Sequence, residues 1–374
     1  MFPILLTFLF IRPFISSLAF PYVNTIYSIA SVIFLGAYVF YKKPVLPKAV
    51  IFPVILFFLA LFVSVLFSQN KLNSLPEVYN YVAGILLFFI AASLPEENKR
   101  LLIGIIILSG LVISFFALYQ FFFGFTRMLN YVLNNDLALP FVVECLQRKR
   151  VFLPFATPNV LGGYLALVLP LAIGKKSWFI LPISAALLLT KSLGALFALC
   201  CALIIYSRMS GRLKKEIFIY FIGLFIVAAA VFISRSAAQN EHTLPMFSTV
   251  MRLNYWQETF EIIRAHPFAG VGPGNLNLVM SRYSHNSYLQ IWAEMGTMGL
   301  ISFIWIVSAV LRSCFINLKN PLYKSRIAAL VAAILVFLIH NFLDFTFFLP
   351  EVVFAWWAIL GSGLVNESRE KGCD

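Results

Sequence analysis

Residues 177–207 read SWFILPISAALLLTKSLGALFALCCALIIYS, an apolar run whose single charge is Lys191. As one long helix it crosses a bilayer once. As two short helices turning at Lys191 it crosses twice and returns the chain to the side it left. The choice sets the sidedness of everything downstream. Lys and Arg accumulate in cytoplasmic loops, and the cluster Arg208, Arg212, Lys214 and Lys215 follows at once. With both termini cytoplasmic, only two crossings keep that cluster inside, so the run is read as spans 177–190 and 192–207.

Working outward, apolar runs between polar punctuation give further spans near 2–20, 22–41, 49–67, 75–93, 101–123, 157–174, 216–234, 287–311, 325–345 and 348–365. A spanning helix takes about 20 residues. The expected fold is therefore an all-α polytopic membrane protein of about twelve transmembrane helices, with residues 1–374 forming a single integral membrane domain. In this arrangement 17 Lys and Arg lie inside and 10 outside, with Arg12 in the first span. Composition agrees: 61% of the 374 residues are hydrophobic and 11% charged, whereas soluble domains are about a quarter charged. A soluble globular enzyme, a disordered chain and a coiled coil are excluded. The net charge of +13 reads as topology, so the expected partner is the lipid bilayer and not nucleic acid. The five cysteines form no C-x-x-C pair, and Cys200 and Cys201 sit in an apolar run, which argues against a disulfide framework or a zinc site. The N-terminus lacks a small-residue cleavage site and runs into a second apolar segment, so it is read as a retained span.

Two outer segments exceed ordinary connector length, 124–156 and 235–286. Long loops in compact proteins are functional or disordered, and both of these contain aromatics and aliphatics. No tandem or inverted repeat argues for a transporter. Within the second, Leu253, Trp256, Phe260 and Ile263 recur at helical spacing between Thr249 and Arg264, opposite Asn254, Glu258 and Glu261. This predicts an amphipathic helix, lying on the outer membrane surface or packed on the bundle. It stops at His266, because the residue before Pro267 disfavours the α region. The stretch GVGPGN at 270–275 lacks the G-K-[ST] ending of a phosphate-binding loop and reads as a tight turn.

Ionisable groups at a membrane edge are costly and are functional candidates by default. His285 stands where the tenth span begins. His340 and Asp344, four apart, share a helix face near the outer end of the eleventh. Lys191 marks the turn between the seventh and eighth spans. Arg148, Lys149 and Arg150 precede the sixth, nine residues before Asn159 in the case of Arg150, while Arg252 and Arg282 are external. All converge on the outer side. Basic residues there run against the inside bias, arginine binds phosphate through a planar fork of donors, and a helix N-terminus at His285 favours anions. A histidine beside them accepts a proton near neutral pH. The set describes a site that holds a phosphate or diphosphate leaving group and activates a hydroxyl. The competing reading is that individual members are packing residues, with His340–Asp344 stabilising a helix end and Glu294 satisfying a local donor. No H-E-x-x-H or paired-carboxylate spacing supports a metal at His285, His340 and Asp344, so neither metal nor cofactor is expected.

The stretches RLNYW (252–256), HPFAGVGPGN (266–275) and HNSYLQ (285–290) with Glu294-Met295-Gly296 resemble the O-antigen ligase/polymerase family of bacterial envelope glycosyltransferases. Two outlying stretches are also similar: Arg150 to Gly163 with Thr157-Pro158-Asn159, and HNFLDF at 340–345. The resemblance covers residues 150–365; the first five spans match in hydropathy alone. It implies a bacterial inner-membrane enzyme whose active site faces the periplasm. Such an enzyme moves a glycan from an undecaprenyl-diphosphate donor to an acceptor hydroxyl, on lipid A-core for a ligase. The same chemistry serves a polymerase, with the nascent glycan as acceptor, or a protein O-oligosaccharyltransferase; a flippase for lipid-linked sugars is the alternative of another class. By resemblance, His285 is the catalytic base or acceptor-positioning group, and Arg252 holds the diphosphate. Arg150, Lys191, Asn159, Arg282, His340 and Asp344 complete the expected substrate site. Where the family often has Ser-Arg-Gly, this chain has Ser192-Leu193-Gly194, so compensation is expected from Lys191 or Arg150.

Overall fold

Proline and short polar side chains set where the helices begin. Pro21, Pro158 and Pro350 occupy first turns, where the missing N–H costs nothing. The side chains of Asn70, Thr157 and Asn286 accept the first free N–H groups of their helices. In the computed structural model, which describes residues 1–44, 47–135, 140–175, 177–211, 223, 247–321 and 323–364, every regular element among the described residues is helical. In chain order they are α1 (Phe2–Ile11), α2 (Pro21–Lys42), α3 (Lys48–Leu66), α4 (Lys71–Ser93), α5 (Glu96–Tyr119), α6 (Phe125–Asn134) and α7 (Pro140–Gln147). Then follow α8 (Pro158–Gly174), α9 (Ile180–Thr190), α10 (Leu193–Ser210), α11 (Phe247–Ala265), α12 (Ser287–Asn317), α13 (Lys324–His340) and α14 (Pro350–Ser362).

Among the described residues, six helices are long and apolar enough to cross a membrane: Pro21–Lys42, Lys48–Leu66, Lys71–Ser93, Glu96–Asn134, Leu193–Ser210 and Ser287–Asn317. Phe2–Phe14, Pro158–Gly174 and Ile180–Thr190 are apolar but shorter. Apart from residue 223, the expected ninth span (216–234) lies outside the described residues, as do the segment 235–246 and the C-terminus from residue 365.

The run that decides the topology is two helices. α9 and α10 part at Lys191, whose backbone is left-handed (φ 53°). Gly162 of α8 faces Thr190, Ser192 and Ala195, while Gly174 at the other end of α8 faces Ala329 near the start of α13. α9 therefore arrives, and α10 departs, beside the first turns of α8. Two expectations need correction. The helix begun by α5 does not end near 123; it passes through a π-helical turn at Gln120–Gly124 into α6, so the segment expected to be loop from 124 starts as helix. His340 and Asp344 do not share a helix face either. α13 ends at His340, and Asp344 lies in the following loop, where Asn341 Nδ2 donates to Phe337 O and Thr346 Oγ1 and so turns the chain.

α8, α13 and α14 form the centre, packed by α10, α4, α5 and α9. They are apolar on all sides, as a helix surrounded by helices must be, and Trp356, Trp357 and Tyr164 are fully buried. The bundle has two distinct ends. One gathers the starts of α4, α8, α10, α12 and α14 and the end of α13. The other gathers Glu96, Lys99, Lys175, Arg208, Lys324 and Arg326: Lys175 Nζ donates to Arg100 O, and Arg326 and Lys99 pair with Glu96.

Candidate functional site

At the first of these ends α11 packs on α12. Ile263 joins Leu276, Leu278 and Ala293, with Tyr255, Ile262, Leu289 and Trp292 against them. The predicted stripe is divided, since Ile263 is buried whereas Leu253 and Phe260 remain exposed. α11 stops at Ala265, as Pro267 requires.

The glycine stretch that follows is a turn wedged into a broken helix. α12 is interrupted at Gly296 (φ 67°). The carbonyls freed by the break are taken from outside: Val271 N–H donates to Ala293 O and Gly272 N–H to Glu294 O, both at 3.0 Å. Gly270, Gly272 and Gly274 are all left-handed. A Cβ at Gly270 or Gly296 would meet backbone, that of Glu294 and Phe268 respectively. Asn275 Nδ2 locks the turn to the α3–α4 connection and to α4 by donating to Ser68 Oγ (2.9 Å) and Ser74 Oγ (3.0 Å).

This seat carries the loop that presents His285. Its backbone is left-handed (φ 53°), a conformation costing of order 1–3 kcal/mol unless the surroundings enforce it. The imidazole is stacked on Tyr255 (5.5 Å, 19°) and meets the edge of Phe345 (4.8 Å, 89°). Phe345 is in turn stacked on Tyr283 at 4.2 Å. Burial lowers the His285 pKa below the usual histidine value; the Asp344 carboxylate opposes this and Arg252 reinforces it. The ring is therefore neutral at physiological pH and able to accept a proton. Its Nδ1 is buried with no hydrogen-bond partner.

Asp344 stands between two histidines. Its Oδ1 accepts from Phe345 N–H (2.8 Å), and its Oδ2 lies 3.8 Å from His340 Nε2. The charges of Asp344 and Arg252 act on both imidazoles. The buried His340 ring lies against two glycines: a methyl on Gly163 would stand 2.8 Å from Cε1, and one on Gly194 3.8 Å from Cδ2. His285, Arg252, His340 and Asp344 thus form one group, supplied by α11, α13 and two loops.

Arg150 is buried close by. Its Nε donates to Thr190 O (3.1 Å) and an Nη to Asn159 Oδ1 (2.9 Å), one helical turn before Gly163. Lys191 Nζ donates to Arg148 O (2.8 Å). Both cations therefore tie the loop before α8 to the α9–α10 turn. Arg282 is directed elsewhere, pairing with Glu77 of α4 at 3.3 Å. The start of α12, expected to attract an anion, is already capped: Asn286 Oδ1 accepts from Tyr288 and Leu289 N–H. The aromatic frame of Tyr255, Tyr283 and Phe345 and the glycine slot for His340 were not foreseen. Tyr255 lies three residues from Arg252, one helical turn, which was the available signal.

Among the described residues no group of three or more His, Cys, Asp and Glu is arranged to hold a metal. Residues 178–304 match the family model described as O-antigen ligase, a stretch containing Lys191, Arg252, Arg282 and His285. No curated protein and no solved structure matches the chain.

Proposed function

We propose, from the match of residues 178–304 to the family model described as O-antigen ligase, that this protein transfers a glycan from undecaprenyl diphosphate to the hydroxyl of lipid A-core in the bacterial inner membrane. The observation that carries the reading is the grouping of a neutral, aromatic-framed His285 with Arg252, Asp344 and His340 at one end of the bundle. His285 removes the proton from the acceptor hydroxyl as its oxygen attacks the anomeric carbon, and the bond from that carbon to the diphosphate breaks. Arg252 neutralises the departing diphosphate, a fixed charge aimed at where charge develops, and no metal takes part. Direct displacement inverts the anomeric centre. Arg150, held one turn from His340, supplies the second positive charge that Leu193 does not. Asn159 and the Thr190 carbonyl hold it in place, and Lys191 fixes the same loop through Arg148 O. Arg282 fixes the loop that presents His285 to the substrate.

In this reading the chain crosses the membrane about twelve times with both termini cytoplasmic. The end with Lys99, Lys175, Arg208 and Arg326 faces the cytoplasm, as the basic bias requires. The main external loop, 235–286, faces the periplasm and carries α11. The test is transfer by purified protein from undecaprenyl-diphosphate glycan, with chelator present. Lipid A-core, carrier-linked glycan and an acceptor protein are offered in separate reactions. Product on lipid A-core, lost in His285→Ala and Arg252→Ala, supports the ligase. Elongated carrier-linked glycan makes the protein a polymerase, and product on protein an O-oligosaccharyltransferase. Carrier translocation without transfer would overturn the reading.

A further inference from the structure

His285 keeps a left-handed backbone in a loop without regular structure of its own, so its neighbours must be held. Ser284 is anchored twice. Its N–H donates to Gln290 Oε1 (3.3 Å). Its Oγ donates to Asn286 O (2.6 Å) and accepts from Asn286 N–H (3.2 Å), which brackets His285. Gln290 is held in turn: its Nε2 donates to Glu294 Oε1 at 2.9 Å. Gln290 and Glu294 lie one turn apart on the short segment of α12 before Gly296, and both are buried. The backbone of Glu294 is itself fixed, since its carbonyl accepts from Gly272 N–H and Ser64 Oγ.

A glutamine amide has one donor end and one acceptor end. An acceptor at position 294 turns the Gln290 NH2 toward itself and leaves the amide oxygen for Ser284 N–H. With no acceptor there the amide is free to flip, and an NH2 facing an N–H makes no bond. The chain of bonds therefore has a direction, and its origin is the carboxyl group of Glu294.

We propose that Glu294 is a positioning residue for transfer: through Gln290 it anchors Ser284 and so holds His285 in its left-handed geometry beside Arg252 and Asp344. Glu294 and Gln290 are both buried and act in this proposal through Ser284 and not on substrate. The inference rests on the reading of His285 as the base. A base displaced by about 1 Å loses on the order of 100-fold in rate, so the loss belongs in kcat and not in donor KM.

The experiment uses full-length protein, undecaprenyl-diphosphate glycan and the acceptor that supports wild-type transfer. Glu294→Leu and Gln290→Leu are each expected to lower kcat about 100-fold at unchanged donor KM. Glu294→Gln, which keeps an acceptor oxygen, restores most of the rate. The double variant Gln290→Leu/Glu294→Leu loses no more than either single one. Wild-type kcat in Glu294→Leu, a Glu294→Gln variant as impaired as Glu294→Leu, or losses that multiply would overturn the proposal. Where Glu294→Leu cannot be recovered from membranes, Gln290→Leu decides alone. His285→Ala is assayed in parallel: wild-type transfer by that variant overturns the underlying reading, and this inference with it.

Discussion

The two ends of the bundle handle charge differently. At the basic end, Lys99 donates to Leu364 O and pairs with Glu96, Lys175 donates to Arg100 O, and the Cys314 thiol donates to Gly363 O. Buried atoms without a hydrogen bond occur at both ends, Arg326 Nε at the basic one and Nδ1 of both His285 and His340 at the other. Left-handed residues are concentrated at that end, with Lys149, Lys191, His285, Gly270, Gly272, Gly274 and Gly296 against Lys43 and Gly211 at the basic one. Left-handed side-chain residues lower stability, and they persist only where the surroundings over-determine them. The contrast teaches that one end is built to hold helices together and the other to hold groups in set positions.

The largest expected effect separates the ends directly. His285→Ala should lower transfer by roughly 10²–10⁴-fold, the range for loss of a general base, while Lys175→Met leaves the rate unchanged in the same assay. Equal losses in both would erase the functional side of the contrast. Next come the glycines. Gly270→Ala and Gly296→Ala should each destabilise the protein by at least about 1–3 kcal/mol, from left-handed strain alone, read as a lowered melting temperature in detergent. Gly36→Ala, whose Cβ would meet nothing within 4 Å, should be neutral or slightly stabilising.

A smaller effect concerns pH. The folded pKa of His285 is lowered by burial. Its neutral form is thus complete above the unfolded value near 6.5, and both its contribution to stability and its competence as a base are lost as pH falls through the folded value. Transfer should show an acid limb below 6.5. Asp344→Asn removes the charge that raises this pKa, so the limb should move to lower pH; movement to higher pH would contradict the placement of Asp344. The smallest effect is expected from the half-buried pair Arg148–Glu144 (3.2 Å). Arg148→Ala should change stability by no more than about 0.5 kcal/mol, measured by the same melt.

Features with a local cause were legible in the sequence. Charge bias read the two helices parted at Lys191, Pro267 read the end of α11, and glycine spacing read the turn at 270–275. What was not legible turned on which side chain or carbonyl a polar group chooses, near or far in the chain. Asp344 left the expected helix because Asn341 turns the chain with the help of Thr346. The anion-binding helix start was pre-empted by Asn286. Arg150 and Lys191 read as ligands from their charge alone, yet the carbonyls they hold, Thr190 and Arg148, carry no side-chain signal at all. Glu294 read as satisfying a local donor, which Gln290 supplies; the onward bond from Ser284 N–H to Gln290 lies outside the helix and carried no signal.

The wedge in α12 bears on how the protein is made. Ser68 and Ser74, which receive Asn275, precede it by 207 and 201 residues. At a synthesis rate of about 5–20 residues per second, the groove on α3 and α4 stands open for roughly 10–40 s before its occupant is translated. During that interval the hydroxyls of Ser68 and Ser74 have no partner from the glycine turn. A translational pause or a truncation before residue 275 would leave the first helices inserted but with this groove unfilled, a form that membrane quality control can recognise.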